Sequence, residues 1–320
     1  MSALVLAIPS KGRLQEQASA YFADCGLAIE TAGGARGYAA RIDAVPDVEV
    51  RLLSASDIAR AIVEGDVHVG VTGEDVLREA AFGFDPPILV KALGFGRADL
   101  VVAAPMAWLD VETMADLADV CAEHRARTGK RLRVATKYIA QTRGFFEAHG
   151  IDDYRIVESL GATEGAPAAG AAEIIVDITT TGATLVANHL APLADGLILK
   201  SQAHLAASRA ASWGPPALAA FSRILDAIEA RSRAKKLRLV RAMVNPERRA
   251  VVESALAALG CRPANAVDGA AAWWCPRDLA FQACAEIQQA GGSAGVFEAD
   301  YIFERPNVAF DAFSASLNDA

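Results

Sequence analysis

Apolar and polar positions follow two periods along the chain, and the switch between them outlines the elements. "ALVLAI" near the start is a short continuous apolar run, the pattern of a strand buried on both faces. Lys11-Gly12-Arg13 then turns into a helix whose Leu14, Ala18, Phe22 and Cys25 fall at helical spacing on one face. "VEVRLLS" predicts a strand, and Asp57 is expected to cap the helix "IARAIVEG", which Gly65 stops. "VHVGVTG" and the helix "EDVLREA" repeat the unit. "ADLVVAAP", a helix over about residues 111–127, "RLRVATK" and a helix ending at Gly150 continue it. Residues 173–189, "EIIVDITTTGATLVANH", begin as a strand and end as a helix. Strands alternating with crossover helices imply an α/β fold with parallel sheets covered on both faces, whose sites lie beyond the carboxyl ends of the strands.

The pattern breaks at "SWGPP", after which a long amphipathic helix runs as a connector to the basic cluster Arg231, Arg233, Lys235 and Lys236. It then restarts as strand "LRLVRAMV", helix "PERRAVVESALAALG", strands "PANAVDG" and "AAAWWCP", helix "LAFQACAEIQQAGG" and strand "AGVFEADYIFE". This β-α-β-β-α-β order predicts a separate ferredoxin-like (ACT-like) α+β domain over residues 235–306. Trp273 and Trp274 are expected on opposite faces of their strand. The tail, residues 307–320, is expected to be partly disordered.

Composition sharpens the picture at three points. Hydrophobic residues make up 53% of the 320-residue chain and charged ones 22%, enough apolar content for two or three cores. A formal net charge of -8 argues against a broad nucleic-acid or anionic-membrane surface, while leaving room for a local anion site. The five cysteines form no CxxC pair and sit mostly on apolar faces, so they read as reduced core thiols of a cytoplasmic protein. "MSALVLAIPSKGRL" has no basic leader and reads as a strand rather than a signal peptide, and no stretch is long and apolar enough to span a bilayer. The five histidines show no metal-ligand spacing.

Four strand ends carry polar groups that suit a shared site. They are Ser10-Lys11-Gly12-Arg13, Thr72-Gly73-Glu74-Asp75, Thr136-Lys137, and the turn at residues 177–184. In each, a strand runs into a helix N-terminus, where unpaired amides and the positive end of the dipole favour an anion. The best of them holds Thr179, Thr180, Thr181, Gly182, Ala183 and Thr184: hydroxyls and amides to ring a phosphate, and a glycine to permit close approach. Asp177 just before it suits sugar hydroxyls rather than a phosphate, since like charges repel, so a phosphorylated ribose explains both halves. Alternatives stay open at each place. The threonine turn also fits a helix cap, Thr-Gly-Glu-Asp fits an N-cap with acids in the first turn, and Lys11 and Arg13 fit solvated surface charges.

At this point the chain resembles a family. "IPSKGRL", "SASDIARAIVEGDVHVGVTGEDVL", "LGFGRADLVVAAP", "RVATKY" and above all "EGAPAAGAAEIIVDITTTGATLVAN" look like ATP phosphoribosyltransferase, in the family's order and spacing over residues 4–190. Two departures stand out: Ser10 is inserted before Lys-Gly-Arg-Leu, and His189 stands where the family commonly has glycine. The resemblance implies a two-lobed core similar to type II periplasmic binding proteins, with residues 1–103 and 190–234 forming one lobe and 104–189 the other. It implies that ATP and phosphoribosyl pyrophosphate give phosphoribosyl-ATP and pyrophosphate, the first step of histidine biosynthesis, with Mg²⁺ on the pyrophosphate. The 5′-phosphate would lie on residues 179–184 and the ribose on Asp177, with Glu164 helping. Lys11, Arg13 and Arg51 would serve pyrophosphate or ATP phosphates, with Lys137 nearby and Glu74 and Asp75 lining the facing lobe. The third domain is similar to the regulatory domain of the family's long form, implying histidine as inhibitor and a homo-oligomer, a dimer growing to a hexamer. A short form lacks that domain and relies on a separate subunit resembling histidyl-tRNA synthetase. Two other readings remain at this stage: a catalytic subunit needing a regulatory partner, and a non-catalytic two-lobed receptor with a sensor domain.

Overall fold

The computed structural model describes residues 4–31, 39–267 and 270–318. In chain order the first part runs β1 (Leu4–Pro9), α1 (Gly12–Asp24), β2 (Ile29–Thr31), β3 (Ala39–Ile42), β4 (Val48–Leu53), α2 (Ala55–Glu64), β5 (Val69–Gly73), α3 (Glu74–Ala80) and β6 (Ile88–Ala92). The second runs β7 (Ala98–Pro105), α4 (Met114–Thr128), β8 (Leu132–Thr136), α5 (Ile139–Ala148), β9 (Tyr154–Glu158), β10 (Ile174–Thr179), α6 (Ala183–Ala187) and β11 (Leu190–Ser201). Then come β12 (Ala203–Ala207), α7 (Pro215–Lys236), β13 (Leu237–Met243), α8 (Arg249–Ala258), β14 (Arg262–Val267), β15 (Ala270–Pro276), α9 (Ala280–Gln289), β16 (Ser293–Phe297) and α10 (Val308–Asn318).

The first two sheets repeat one design. In the first, the order β4-β1-β5-β12-β6 is extended at one edge by the β2-β3 hairpin; in the second it is β9-β8-β10-β7-β11. In each, a central strand pairs in parallel with two neighbours, and a fourth strand lies antiparallel between the third and the last. That fourth strand is exchanged: β7 follows the first lobe's last strand but lies in the second sheet, and β12 follows β11 but lies in the first. The chain therefore crosses between lobes twice, at residues 93–97 and at Gln202. The expected boundaries at 103 and 190 fall inside β7 and β11, which both belong to the second sheet; an antiparallel strand that opens a lobe carries no sequence sign of which sheet it joins.

Both sheets are packed on both faces. Leu4, Leu6 and Ile8 of β1 meet Phe22 of α1 and Phe221, Ile224 and Ile228 of α7 on one side, while Ala7 meets Ile58 and Ile62 of α2 on the other. The second sheet has the same two cores, one holding Val134, Val176 and Phe146, the other Ala135, Ile175 and Leu185. The caps differ in detail from expectation. Ser54, not Asp57, is the N-cap of α2: its hydroxyl accepts from the Asp57 amide at 3.2 Å and donates to the Asp57 carboxylate at 2.6 Å. Ser10 continues the first sheet, its amide extending the β1-β4 ladder to the Leu53 carbonyl at 2.8 Å.

The third sheet is antiparallel, in the order β14-β15-β13-β16, with α8 and α9 closing one face over Val240, Trp273 and Cys275. Trp273 is buried and Trp274, on the other face, is half-buried. The expected strand "PANAVDG" ends at Asp268 and Gly269, which lie outside the described residues, as do Ala3 of "ALVLAI" and the last two residues of the tail. "AGVFEADYIFE" is a strand only through Phe297. Beyond it the chain runs back along α7, the Ile302 amide donating to the Ala230 carbonyl and Arg233 pairing with Glu304. The tail is not disordered where it is described. Asn307 caps α10 and donates to Asp226 of α7, and Phe313 is buried between Trp213 and Phe221 of the first lobe. Its apolar spacing was short enough to pass for a tail.

Candidate active site

The carboxyl ends of β5, β8 and β10 open onto the two crossing segments. A cavity of about 610 Å³ there is lined from the first lobe by Arg13, Ser56, Gly73 and Asp75, from the second by Lys137, Ile178 and Thr180, and from the crossing by residues 94–98. A second, of about 410 Å³, shares Arg97, Ala98 and Thr180 with it and adds Asp99, Thr179, Lys200, Ser201 and Gln202. Four cations, Arg13, Arg97, Lys137 and Lys200, thus line one continuous region of an acidic protein, which gives it a local attraction for anions.

The threonine turn lies at the rim of this region. Thr179 Oγ1 accepts from the Gly182 amide at 2.9 Å, Thr181 Oγ1 accepts from the Ala183 amide at 3.4 Å, and Thr180 Oγ1 donates to the Arg97 carbonyl at 3.3 Å. Gly182 sits at φ +76, left-handed, and nothing lies within 4 Å of where its Cβ would be. The turn is therefore tight but open to solvent, and Thr181, Ala183 and Thr184 are exposed. The hydroxyls of the turn cap two amides, and at Gly182 its outer surface faces free space.

Asp177 stands half-buried on β10, two residues before Thr179 on the same face. Burial and the nearby Glu164 carboxylate hold its carboxyl above the usual value of 3.8, against the Ile178 amide, Lys137 and the Thr163 hydroxyl, which favour the charged form. The Ile178 amide donates to Asp177 Oδ1 at 2.8 Å. Glu164 lies in a one-turn 3-10 helix entered through Ala162 at φ +50, a left-handed residue that is not glycine. Asp177, Glu164 and Lys137 thus act on one another beside the threonine turn, while neither carboxylate lines the two cavities; perturbed acids concentrate at functional sites, which keeps Asp177 a candidate.

The remaining candidates divide. Lys11 is exposed at the N-cap of α1 and lines neither cavity. Arg51 is not brought to the cleft: it pairs with Glu49 at 2.7 Å and donates to the Asp66 carbonyl, ahead of the amino end of β5. Glu74 is tied to Arg78 at 2.6 Å. Asp75 lines the cavity yet has both oxygens engaged, Oδ2 by the Tyr138 hydroxyl at 2.5 Å and Oδ1 by the Ser201 hydroxyl at 2.8 Å. Sequence reasoning missed Arg97, Lys200 and Gln202. Arg97 sits within the block "LGFGRADL", whose crossing role is visible only in the fold; Lys200 and Gln202 carry no local signal. Among the described residues no three His, Cys, Asp or Glu side chains are grouped so as to hold a metal.

Known proteins match this chain closely. The family model described as HisG, ATP phosphoribosyltransferase, matches residues 54–230. The ATP phosphoribosyltransferase of Caulobacter vibrioides (strain NA1000 / CB15N) is 54% identical over 318 residues, covering 98% of both chains. That of Bradyrhizobium diazoefficiens is 49% identical, again over 98% of both. Among solved structures, a chain of the ATP phosphoribosyl transferase (HisG:HisZ) complex from Thermotoga maritima is similar at 26% identity and a TM-score of 0.54; the match covers 98% of that chain but 71% of this one. The matched stretch contains Asp177, the threonine turn, Arg97, Lys137 and Lys200, and the full-length identity extends to the third domain. With both lobes and the site inside the match, the chain belongs to the ATP phosphoribosyltransferase family.

Proposed function

We propose that the protein joins ATP to phosphoribosyl pyrophosphate in the cleft between the lobes, releasing pyrophosphate. The carrying observation is the junction of an anion-compatible turn, a half-buried carboxylate and four cations at the crossing of two like-built lobes. Residues 179–184 take the 5′-phosphate, Asp177 accepts hydrogen bonds from the ribose hydroxyls with Glu164 helping to position the ribose, and Lys137 favours the charged form of Asp177. Arg13, Arg97 and Lys200 face the pyrophosphate and the ATP phosphates. The lone pair of adenine N1 attacks the anomeric carbon while the bond to pyrophosphate breaks with its electron pair. No general base is needed, since N1 is unprotonated at neutral pH; the protein aligns the reactants and stabilises the leaving charge. Mg²⁺ fits as an ion carried by the pyrophosphate and its waters, because no all-protein cage exists among the described residues. When bound it neutralises pyrophosphate oxygens; Asp177 and Glu164 are the acids at hand.

The repeated strand order supports reading the core as the two-lobed type II scaffold, and the βαββαβ order supports reading the third domain as ACT-like and histidine-sensing. Just over a quarter of this chain lacks a counterpart in the matched chain of the Thermotoga maritima complex, which supports built-in regulation over a separate partner. The open sheet face, with Leu239, Trp274 and Arg241 over the Phe297 ring, supports a homo-oligomer, dimer or hexamer. Five free thiols, four of them buried, support a reducing, cytoplasmic setting. Pyrophosphate release from the purified protein, measured with each substrate omitted and with histidine added, tests the reading. Release that does not require both substrates would overturn it.

A further inference from the structure

The cleft is held by contacts that the reaction does not use. Helix α5 of the second lobe begins without a cap of its own: Tyr138, its N-cap residue, makes no side-chain capping bond. The cap comes from the other lobe. The Glu79 carboxylate, near the end of α3, accepts from the Ala140 amide at 2.8 Å and the Gln141 amide at 3.2 Å, placing a negative charge on the positive end of α5. The Gln141 side chain donates back to the Asp75 carbonyl at 2.9 Å. Beside it the buried Asp75 carboxylate joins Tyr138 and Ser201, two groups of the second lobe. A Cβ on Gly73 would stand 2.2 Å from Asp75 Oδ1, so glycine there is what lets the carboxylate turn inward. Burial, with Asp75 next in effect, pushes the Tyr138 hydroxyl well above its usual value, so it remains a donor.

We propose that Glu79 and Asp75 are positioning residues, an inter-lobe latch that fixes the angle between the lobes and thereby the line from adenine N1 to the anomeric carbon. The inference rests on the proposed reading that groups of both lobes hold the two substrates across the cleft. Lobes joined only by the crossings at 93–97 and Gln202 would otherwise hinge, and a misplacement of about 1 Å can cost on the order of 100-fold in rate. Glu79 lines neither cavity, so its replacement removes no side chain placed on a substrate and acts only through the angle between the lobes.

Glu79→Ala in the full chain is the test, read in two ways. Spin labels on Glu64→Cys and Glu123→Cys, exposed on α2 and α4, report the distance between lobes in a Cys284→Ser background. The latch predicts a narrow distribution in the parent and a broad or displaced one in Glu79→Ala. It also predicts a kcat lower by on the order of 10- to 100-fold, with a much smaller change in KM for phosphoribosyl pyrophosphate, since no side chain placed on that ligand is removed. Should Glu79→Ala fail to fold, Glu79→Gln, which keeps an acceptor but not the charge, is measured the same way. An unchanged distance distribution with only a lower Tm overturns the latch and leaves Glu79 as a helix cap. Absence of phosphoribosyl transfer in the parent overturns the functional reading instead, and the distance readout distinguishes the two.

Discussion

At the scale of single residues, the role proposed for Asp177 sets function against stability. Its carboxyl is held above 3.8 chiefly by burial, so the folded state disfavours the charge that the proposed ribose contact uses. For an acid with a raised folded value, the favourable contribution is present below the unfolded value and is lost as pH rises through the folded one. Asp177→Asn removes that loss. The variant should melt higher than the parent near neutrality, and the gap should close as pH falls to the ordinary carboxylate range. Its use of phosphoribosyl pyrophosphate should drop by about 1.5–3 kcal/mol in kcat/KM, the worth of a charge-assisted hydrogen bond. Melting curves over pH with parallel kinetics check both; unchanged kinetics would remove Asp177 from the site. His189 is a simpler case. It follows α6 at φ +58, where the family commonly has glycine, and left-handed backbone costs a residue with a Cβ about 1 kcal/mol. His189→Gly should therefore raise unfolding stability by about 0.5–1 kcal/mol in denaturant melts, less if the freer unfolded chain offsets it. Asp177 and the threonine turn could be read together from the sequence because they lie within eight residues at one strand end. The fate of Asp75 could not, because Tyr138 lies 63 residues away and only the packing of one lobe on the other joins them.

At the scale of elements, the β10 turn carries the decisive test. Gly182 was expected to permit close approach of a phosphate; the structure adds that a side chain there meets no protein atom within 4 Å, so Gly182→Val acts through backbone strain and by filling the space before the turn. The fold should survive with a loss of about 1–2 kcal/mol, while phosphoribosyl pyrophosphate binding falls far more. Isothermal titration decides it, since normal affinity would reduce the turn to a cap. Elements were legible where their period was unbroken. β1, with its continuous apolar run, and α2, with Ile58, Ala61 and Ile62 on one face, read directly from the sequence. The crossing strands β7 and β11 read as strands but not as members of the second sheet, since membership is set by antiparallel partners far along the chain. Helix α10 was missed because its apolar face is completed only by Trp213 and Phe221.

At the scale of the whole molecule, α10 changes how regulation can be tested. Cutting the chain after Ala234 removes the third domain, but it also strips Phe313 from the first lobe's core, where it is 1% exposed against Trp213 and Phe221. Losing a buried phenylalanine typically costs about 3–5 kcal/mol, a large share of any domain's stability. The cap bonds of Asn307 to Asp226 and to the Phe310 amide go with it. A chain cut after Ala234 should therefore melt well below the parent, and any loss of activity would say nothing about histidine. The cleaner deletion removes residues 237–306 and keeps the helix. Asn307 docks at Asp226, ten residues before the end of α7, a rise of about 15 Å, and roughly eight flexible glycine-serine residues span that distance. This shortened chain should keep the melting behaviour of the two lobes and their phosphoribosyl transfer, and should lack the histidine inhibition proposed for the full chain. Equal melting temperatures for the two shortened chains would show that α10 adds nothing to the first lobe. Retained histidine inhibition in the chain that keeps α10 would place the inhibitor site outside the third domain.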